Sequence, residues 1–577
     1  MNKIFKVIWN RTTQSLVVTS ELAKGAAKAS CENTHVETKT SFGKIFKLSA
    51  LSLLLLDVAG NAYAATMDGG RANGASSIAI GRATIANGQN SVVIGVSSKA
   101  DIHKAIAIGS DVVATGPDAA AVGTNSVAGV QGSAFGRLAN AAVSGTALGN
   151  EAAASSSATA VGDGAKAKSV SSVAVGKAAV VNKDRGIAIG ESANVTEHAT
   201  NGTAIGVSAV ANGTNSTAIG HLARGGYTDS VALGTNANAS NFQAISIGKD
   251  TVNGAISGTA IGSGSTVGPY ADNAIAIGTG ATVDGASGSA KGNNAIAMGF
   301  NAATTGENTI AMGMTAKANK ESSIAIGRES NTAGNYGLAI GRNANASTTE
   351  ENAIALGRNT VAGRDSAIAV GLGAQATGQF SQAVGRYAKS SGSSALAMGV
   401  SANASGSNAL AMGASTNASG NDALAMGVST TASGNEALAM GKGANASGGA
   451  ALAMGVSACA TNTSSLALGP GAKAQGIGTV ALGAGAVTST DTGAMALGGN
   501  ASGIYSVAVV SGSQTKGNYA ISMGYNAISE DSGIAQGLNA NAANNAISLG
   551  RDSKALAKSG VALGGSATAT NAQDVAL

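Results

Sequence analysis

The side chains able to do chemistry are few in this chain, and they stand far apart. His103, His198 and His221 lie in its body, and a metal site or a general base would need Cys, Asp, Glu or another His at ligand spacing around them. None falls there, so each reads as a solvated turn residue. Cys31 sits near the N-terminus and Cys459 is the only cysteine beyond it, which excludes an intrachain disulfide framework and a Cys-based metal site in the body. Cys459 can stand free or link subunits. Gly262-Ser263-Gly264 lacks the strand, helix and trailing acid of a dinucleotide site, and the glycine-aspartate nonapeptide that binds calcium is missing. No catalytic, metal or cofactor-binding residue is expected, and the chain is read as no enzyme.

One set of charges does recur in order. Arg328, Arg342 and Arg358 each follow the closing glycine of a short phrase, in three successive copies of it. If those copies stack, the three arginines form a basic column and are the candidate ligand-binding residues. Like charges at a strand spacing of roughly 4.8 Å repel, so something must compensate them. One compensation is Glu329, Glu350 and Glu351 with water and salt. The other is an acidic ligand such as a sulfated glycosaminoglycan, gripped by arginine forks.

The elements that would position these residues follow from the repeat. Between residues 395 and 441 the chain reads ALAMGVSANASGSN ALAMGASTNASGND ALAMGVSTTASGNE ALAMG. Closing glycines recur fourteen apart from Gly371 through Gly385, Gly399, Gly413 and Gly427 to Gly483, and related phrases fill most of the chain. A fixed period of this kind marks a solenoid. Ser77-Ile78-Ala79-Ile80-Gly81 alternates with period two, which suits a strand; Ala402-Asn403-Ala404 is a second, weaker strand, and Ser405-Gly406 turns the chain. Two short strands and two turns make one coil, and about thirty-five coils at roughly 4.8 Å each predict a rod on the order of 170 Å.

Composition agrees. With 84 glycines in 577 residues and 3 prolines the chain is not collagen, and with 44% hydrophobic and 11% charged residues it is not a solvated coil. Residues 1–64 hold eight Lys or Arg and four Asp or Glu, which leaves 27 basic and 26 acidic residues for the rest, a formal net of +1. No global field favours nucleic acid.

The alternation suits a strand with one buried face, on which Ile, Val, Leu or Met recur: Ile324 and Ile326 point into the coil, Ser323 lies outside, and the middle alanines Ala79, Ala325, Ala411, Ala425 and Ala453 line an outer face. A column of such small residues implies close approach of another sheet, so these alanines are the trimer-facing candidates. Val93, Ser246, Ser522 and Ser548 replace alanine in that column. Val510 replaces a closing glycine, Gln536 an apolar core residue, and the spacing stretches between Gly278 and Gly299.

The N-terminus has another grammar. Lys44 and Lys47 precede the apolar run KLSALSLLLLDVAGNAYA, which ends on Ala62-Tyr63-Ala64, so residues 1–64 read as an extended signal peptide cleaved between Ala64 and Ala65. The run is shorter than the roughly 20 residues of a membrane span. The preceding MNKIFKVIWNRTTQSLVVTSELAKG resembles the extended signal region of large Gram-negative autotransporters.

The phrases Asn90-Ser91-Val92-Val93-Ile94-Gly95 and Asn273-Ala274-Ile275-Ala276-Ile277-Gly278 resemble the head repeat of YadA-like trimeric autotransporter adhesins. That resemblance implies an all-β, left-handed parallel β-roll over residues 65–577, three copies of which associate side by side as a homotrimer. It implies a cell-surface adhesin head that attaches to host extracellular matrix proteins or cell-surface glycans, exported through Sec and held at the outer membrane by a C-terminal anchor. Neck, stalk and anchor are not in this sequence, which reads as an N-terminal portion of such a protein. The alternative is a structural spacer projecting another domain; an ice-binding face would need a regular column of threonines, and these are scattered.

Overall fold

The computed structural model describes residues 5–10, 15–20, 65–284, 292–346 and 351–577. The apolar run of the leader, Cys31, Ala64 and Glu350 lie outside the described residues. The chain divides into two units, Met1–Tyr63 and Ala64–Leu577. In the first, Phe5–Asn10 pairs antiparallel with Ser15–Ser20.

The second unit is a parallel β-solenoid of about 36 turns with coils of about 14 residues. One coil shows the plan. Leu396–Met398 is a strand, the chain turns over 399–402, Asn403–Ala404 is a second strand, and a turn over 405–408 leads to the next copy. The first strand pairs in register with its successor, Leu396 with Leu410, Ala397 with Ala411 and Met398 with Met412. The second does likewise, Asn403 with Asn417 and Ala404 with Ala418. Two parallel ladders result, one mostly of three-residue strands and one of two-residue strands. The turns join them: the Asn403 and Ser405 amides donate to the carbonyls of Thr416 and Ala418 at 2.8 and 2.9 Å, and the Asn408 amide to that of Ser393 at 2.8 Å. Each coil therefore satisfies backbone groups of both neighbours, which a lone coil would leave open.

The core overturns the expected face. Ala79, Ala325, Ala411, Ala425 and Ala453 are 0% exposed within a single chain, so none of them can touch another subunit. Ile324 and Ile326 are half-buried and flank Ala325 on the outside of the strand. The reason is width. A coil closed by two tight turns holds its ladders so close that, among the described residues, nothing larger than valine is fully buried between them, as at Val93 and Val181, and most of the interior is filled by Ala395, Ala397, Ala402, Ala404 and their equivalents. Larger residues have room only outside. Gln536 therefore replaces no core residue; it sits on the exposed outer face.

The residues that break the alanine column confirm this placement. Ser246, Ser522 and Ser548 are buried, and each finds a partner inside: Ser246 donates to the Asn238 carbonyl at 2.8 Å, while Ser522 and Ser548 meet the Ser529 and Ser553 hydroxyls at 2.7 Å. A buried hydroxyl without a partner would be costly. Ser323, expected outside, is also buried and donates to the Lys320 carbonyl at 2.6 Å. Ser77, Ser381 and Ser465 close the same turn in their own coils at 2.6 to 2.7 Å.

The turn after the three-residue strand explains the closing glycine. Gly327 has φ +130°, and a Cβ there would stand 2.5 Å from the Gly341 carbonyl oxygen of the next coil. Only glycine tolerates both the conformation and the approach. Val510 holds the equivalent place with φ 84°, and does so beside Gly498–Gly499, where the preceding turn is shortened. The other turn absorbs most changes of length. Ile275 still pairs with Ile296 and Thr282 with Ala303 across the stretched spacing between Gly278 and Gly299.

Candidate functional site

Chemistry-bearing groups remain dispersed in the folded rod. His103, His198 and His221 are exposed on different coils. Among the described residues no three His, Cys, Asp or Glu are gathered as a metal site would require. Cys459 is half-buried on the outer side of a two-residue strand, with the Asn445 amide nitrogen 4.0 Å from its sulfur.

Two surfaces stand out instead. The first is the outer side of the three-residue ladder. Leu396, Leu410, Leu424, Leu438 and Leu452 stack in one column, and Met398, Met412, Met426, Met440 and Met454 in the next. Related Ile, Val and Leu residues extend both columns along most of the unit, interrupted by Ser133, Thr146, Thr159, Thr203, Thr217, Thr259 and Gln382 in the first and Gln536 in the second, with Met398 40% and Leu148 48% exposed. The unbroken stretch of Leu and Met from residue 396 to 454 alone is a larger apolar face than is normal on a monomer. The sequence carries a signal for it in the branched and thioether side chains on both sides of the alanine, but size alone points that signal to the core.

The second surface is the edge formed by the turn after the three-residue strand. Registry Ile326 to Ile340 to Leu356 places Arg328, Arg342 and Arg358 on three successive coils, all exposed. Arg328 pairs with Glu329 at 3.0 Å. Arg342 and Arg358 are followed by Asn343 and Asn359, whose amides bond each other at 3.2 Å. Glu351 belongs to the other turn, at the opposite edge of its coil, where it accepts from the Asn335 amide at 3.3 Å. It does not neutralise the arginines, and the expectation that it does is corrected by that placement.

Sequence comparison decides kinship. A family model of the YadA head domain repeat matches successive stretches from residues 72–98 to 542–567, together well over half the chain. The chain belongs to the YadA-like trimeric autotransporter adhesins. A second model, the extended signal peptide of the type V secretion system, matches residues 1–46. This YadA-like chain is therefore a secreted, Gram-negative surface autotransporter of the adhesin kind, in a family that is in general non-enzymatic. No curated protein matches it.

Proposed function

We propose that residues 65–577 are the head of a homotrimeric adhesin that attaches its bacterium to host extracellular matrix proteins or cell-surface glycans, and that the three chains meet through the outer columns of the three-residue ladder. The continuous Leu and Met face carries this reading. Apolar area of that extent favours burial at about 25 cal/mol per Å², and association of like copies along parallel axes covers it without breaking the repeat. The Ala column, which lies inside each coil, takes no part. Cleavage after Ala64 leaves Ala65, the first residue of the three-residue ladder, at the new N-terminus. A C-terminal anchor in the outer membrane completes the expected route of export.

The test is a pair of charges. Leu410→Glu with Met412→Glu places carboxylates on two outer columns while leaving the alanine core intact. Sedimentation should show a trimer in the parent and monomers in the variant, with attachment to collagen, laminin and host cells reduced alongside. A monomeric parent, or a variant of unchanged mass, overturns the proposed seam. A spacer role is favoured locally over residues 395–470, where Asp422, Glu436 and Lys442 are the only charges. Deleting whole coils from that stretch without loss of attachment would assign it to spacing.

A further inference from the structure

We infer that the turn edge around Arg328, Arg342 and Arg358 is a binding track for a linear sulfated polysaccharide lying along the rod axis. This rests on the adhesin reading and names a ligand class for it. Four observations carry it.

First, the edge is charged far beyond the rod as a whole. From coil to coil between residues 314 and 403, the outward positions of this turn and of the adjoining two-residue strand carry Lys317, Arg328, Arg342, Arg358, Arg386 and Lys389 against one carboxylate, Glu329. The other acids described in that span, Glu321, Glu351 and Asp365, lie on the opposite edge, together with Lys320 and Arg364.

Second, the rod has a way of neutralising a cation here, which Arg328 uses through Glu329 at 3.0 Å and which Arg342 and Arg358 do not use. Where it is used elsewhere, the partner is a carboxylate at the next position of the same or the following coil, as in Arg137 with Glu151 at 2.9 Å, Lys249 with Asp250 at 3.7 Å and Arg551 with Asp552 at 3.3 Å. Isolated cations such as Arg82 and Lys177 have no such partner among the described residues, but no second arginine stacks on them. At Arg342 and Arg358 that position holds Asn343 and Asn359. Neither arginine has an ion-pair partner among the described residues. Two guanidinium groups one coil apart repel at roughly 4.8 Å spacing, and a string of external anions relieves them.

Third, the edge is regular. The glycine column fixes the turn geometry from Gly327 to Gly341 to Gly357, so the arginines repeat in line, and length changes fall on the other turn. Fourth, the neighbours suit sugars. Amides Asn331 and Asn345 on the adjoining strand bond each other at 3.1 Å and, with Asn343 and Asn359, offer hydrogen-bonding groups to hydroxyls. The track ends in a depression lined by Tyr387, Lys389, Ser401, Ala402 and Asn403, beside Arg386, whose guanidinium lies 5.2 Å from the Tyr387 ring centre. Guanidinium forks fit sulfate and carboxylate groups. A nucleic-acid track would interleave aromatic platforms along its length, and Tyr387 is the only aromatic on this edge of these coils after Arg328.

The experiment uses the full chain and its variant Arg328→Ser/Arg342→Ser/Arg358→Ser, with Arg82→Ser/Lys177→Ser/Arg551→Ser as a control of equal charge. Binding to heparin, to desulfated heparin and to single-stranded DNA is measured across a salt series, with circular dichroism and mass confirming fold and assembly. The parent and the control should bind heparin, and the first variant should bind about tenfold more weakly or less. Desulfated heparin and DNA should bind poorly to all three. No heparin binding by the parent, equal loss in the two variants, or equal affinity for DNA overturns the inference. Attachment to collagen, laminin and host cells is scored in parallel: if the parent attaches but ignores heparin, the track fails and the adhesin reading stands, and if it attaches to nothing both fail.

Discussion

At Ser323, Ala325 and Ile326 three nearby side chains occupy three environments, and their substitutions separate the forces holding one coil. Ser323 closes a buried turn, Ala325 fills the interior, and Ile326 is half-buried outside. Ala325→Asp places an unpaired carboxylate in a space sized for a methyl group, and a cost of about 3 kcal/mol or more is expected. Ile326→Asp leaves the coil interior untouched, so thermal unfolding of the separated chain should move little, while assembly weakens. Ser323→Ala should fall between, at about 1 kcal/mol for the lost hydrogen bond. Calorimetry of the three variants in dilute monomeric conditions checks the order; equal effects at residues 325 and 326 would contradict the inside and outside assigned to the strand.

At the scale of the element, the unit is the whole coil and not the strand. Three-residue and two-residue strands have no stability alone; each gains it from its copies above and below. Deleting residues 409–422 joins Asn408 to Ala423 in the register that Asn408 already has with Ala409, and both ladders continue. Deleting only 409–415 brings a two-residue strand where a three-residue strand must pair. The first variant should unfold within a few degrees of the parent, and the second should lose a large part of its strand signal, as followed by circular dichroism on heating. The stretched coil between Gly278 and Gly299 already shows that the ladders tolerate added length when it falls in the turn after the two-residue strand.

For the molecule as a whole, the two ladders give the rod two unlike faces and the turns give it two unlike edges. The apolar face is on the three-residue ladder, and Cys459 is on the other. With the seam where it is proposed, the Cys459 thiol stays accessible in the assembled rod. A bulky maleimide should label it once per chain under native conditions without changing the sedimenting mass. Labelling that requires unfolding would move the seam to the two-residue ladder. The basic edge lies between these faces, and a polyanion bound there would run parallel to the seam without crossing it.

The period of fourteen, its glycine and the alternation Ile-Ala-Ile were enough to determine strands, turns, a parallel solenoid and its kinship, because each is a local or repeating property of the chain. The same alternation could not decide which face is the core. A period of two serves both faces equally, and a shift of one residue exchanges them. Size usually breaks the tie in favour of Ile324 and Ile326, but here the width of the coil, fixed by two tight turns and by the approach of Gly327 to Gly341, buries nothing larger than valine among the described residues, and Ala325 and Ser323 take the inside. That width is a property of the closed coil and of its neighbours, so it exists only in the folded rod. For the same reason Arg328, Arg342 and Arg358 were legible as a column from spacing alone, while the separation of that column from Glu351 needed the two turns placed on opposite edges.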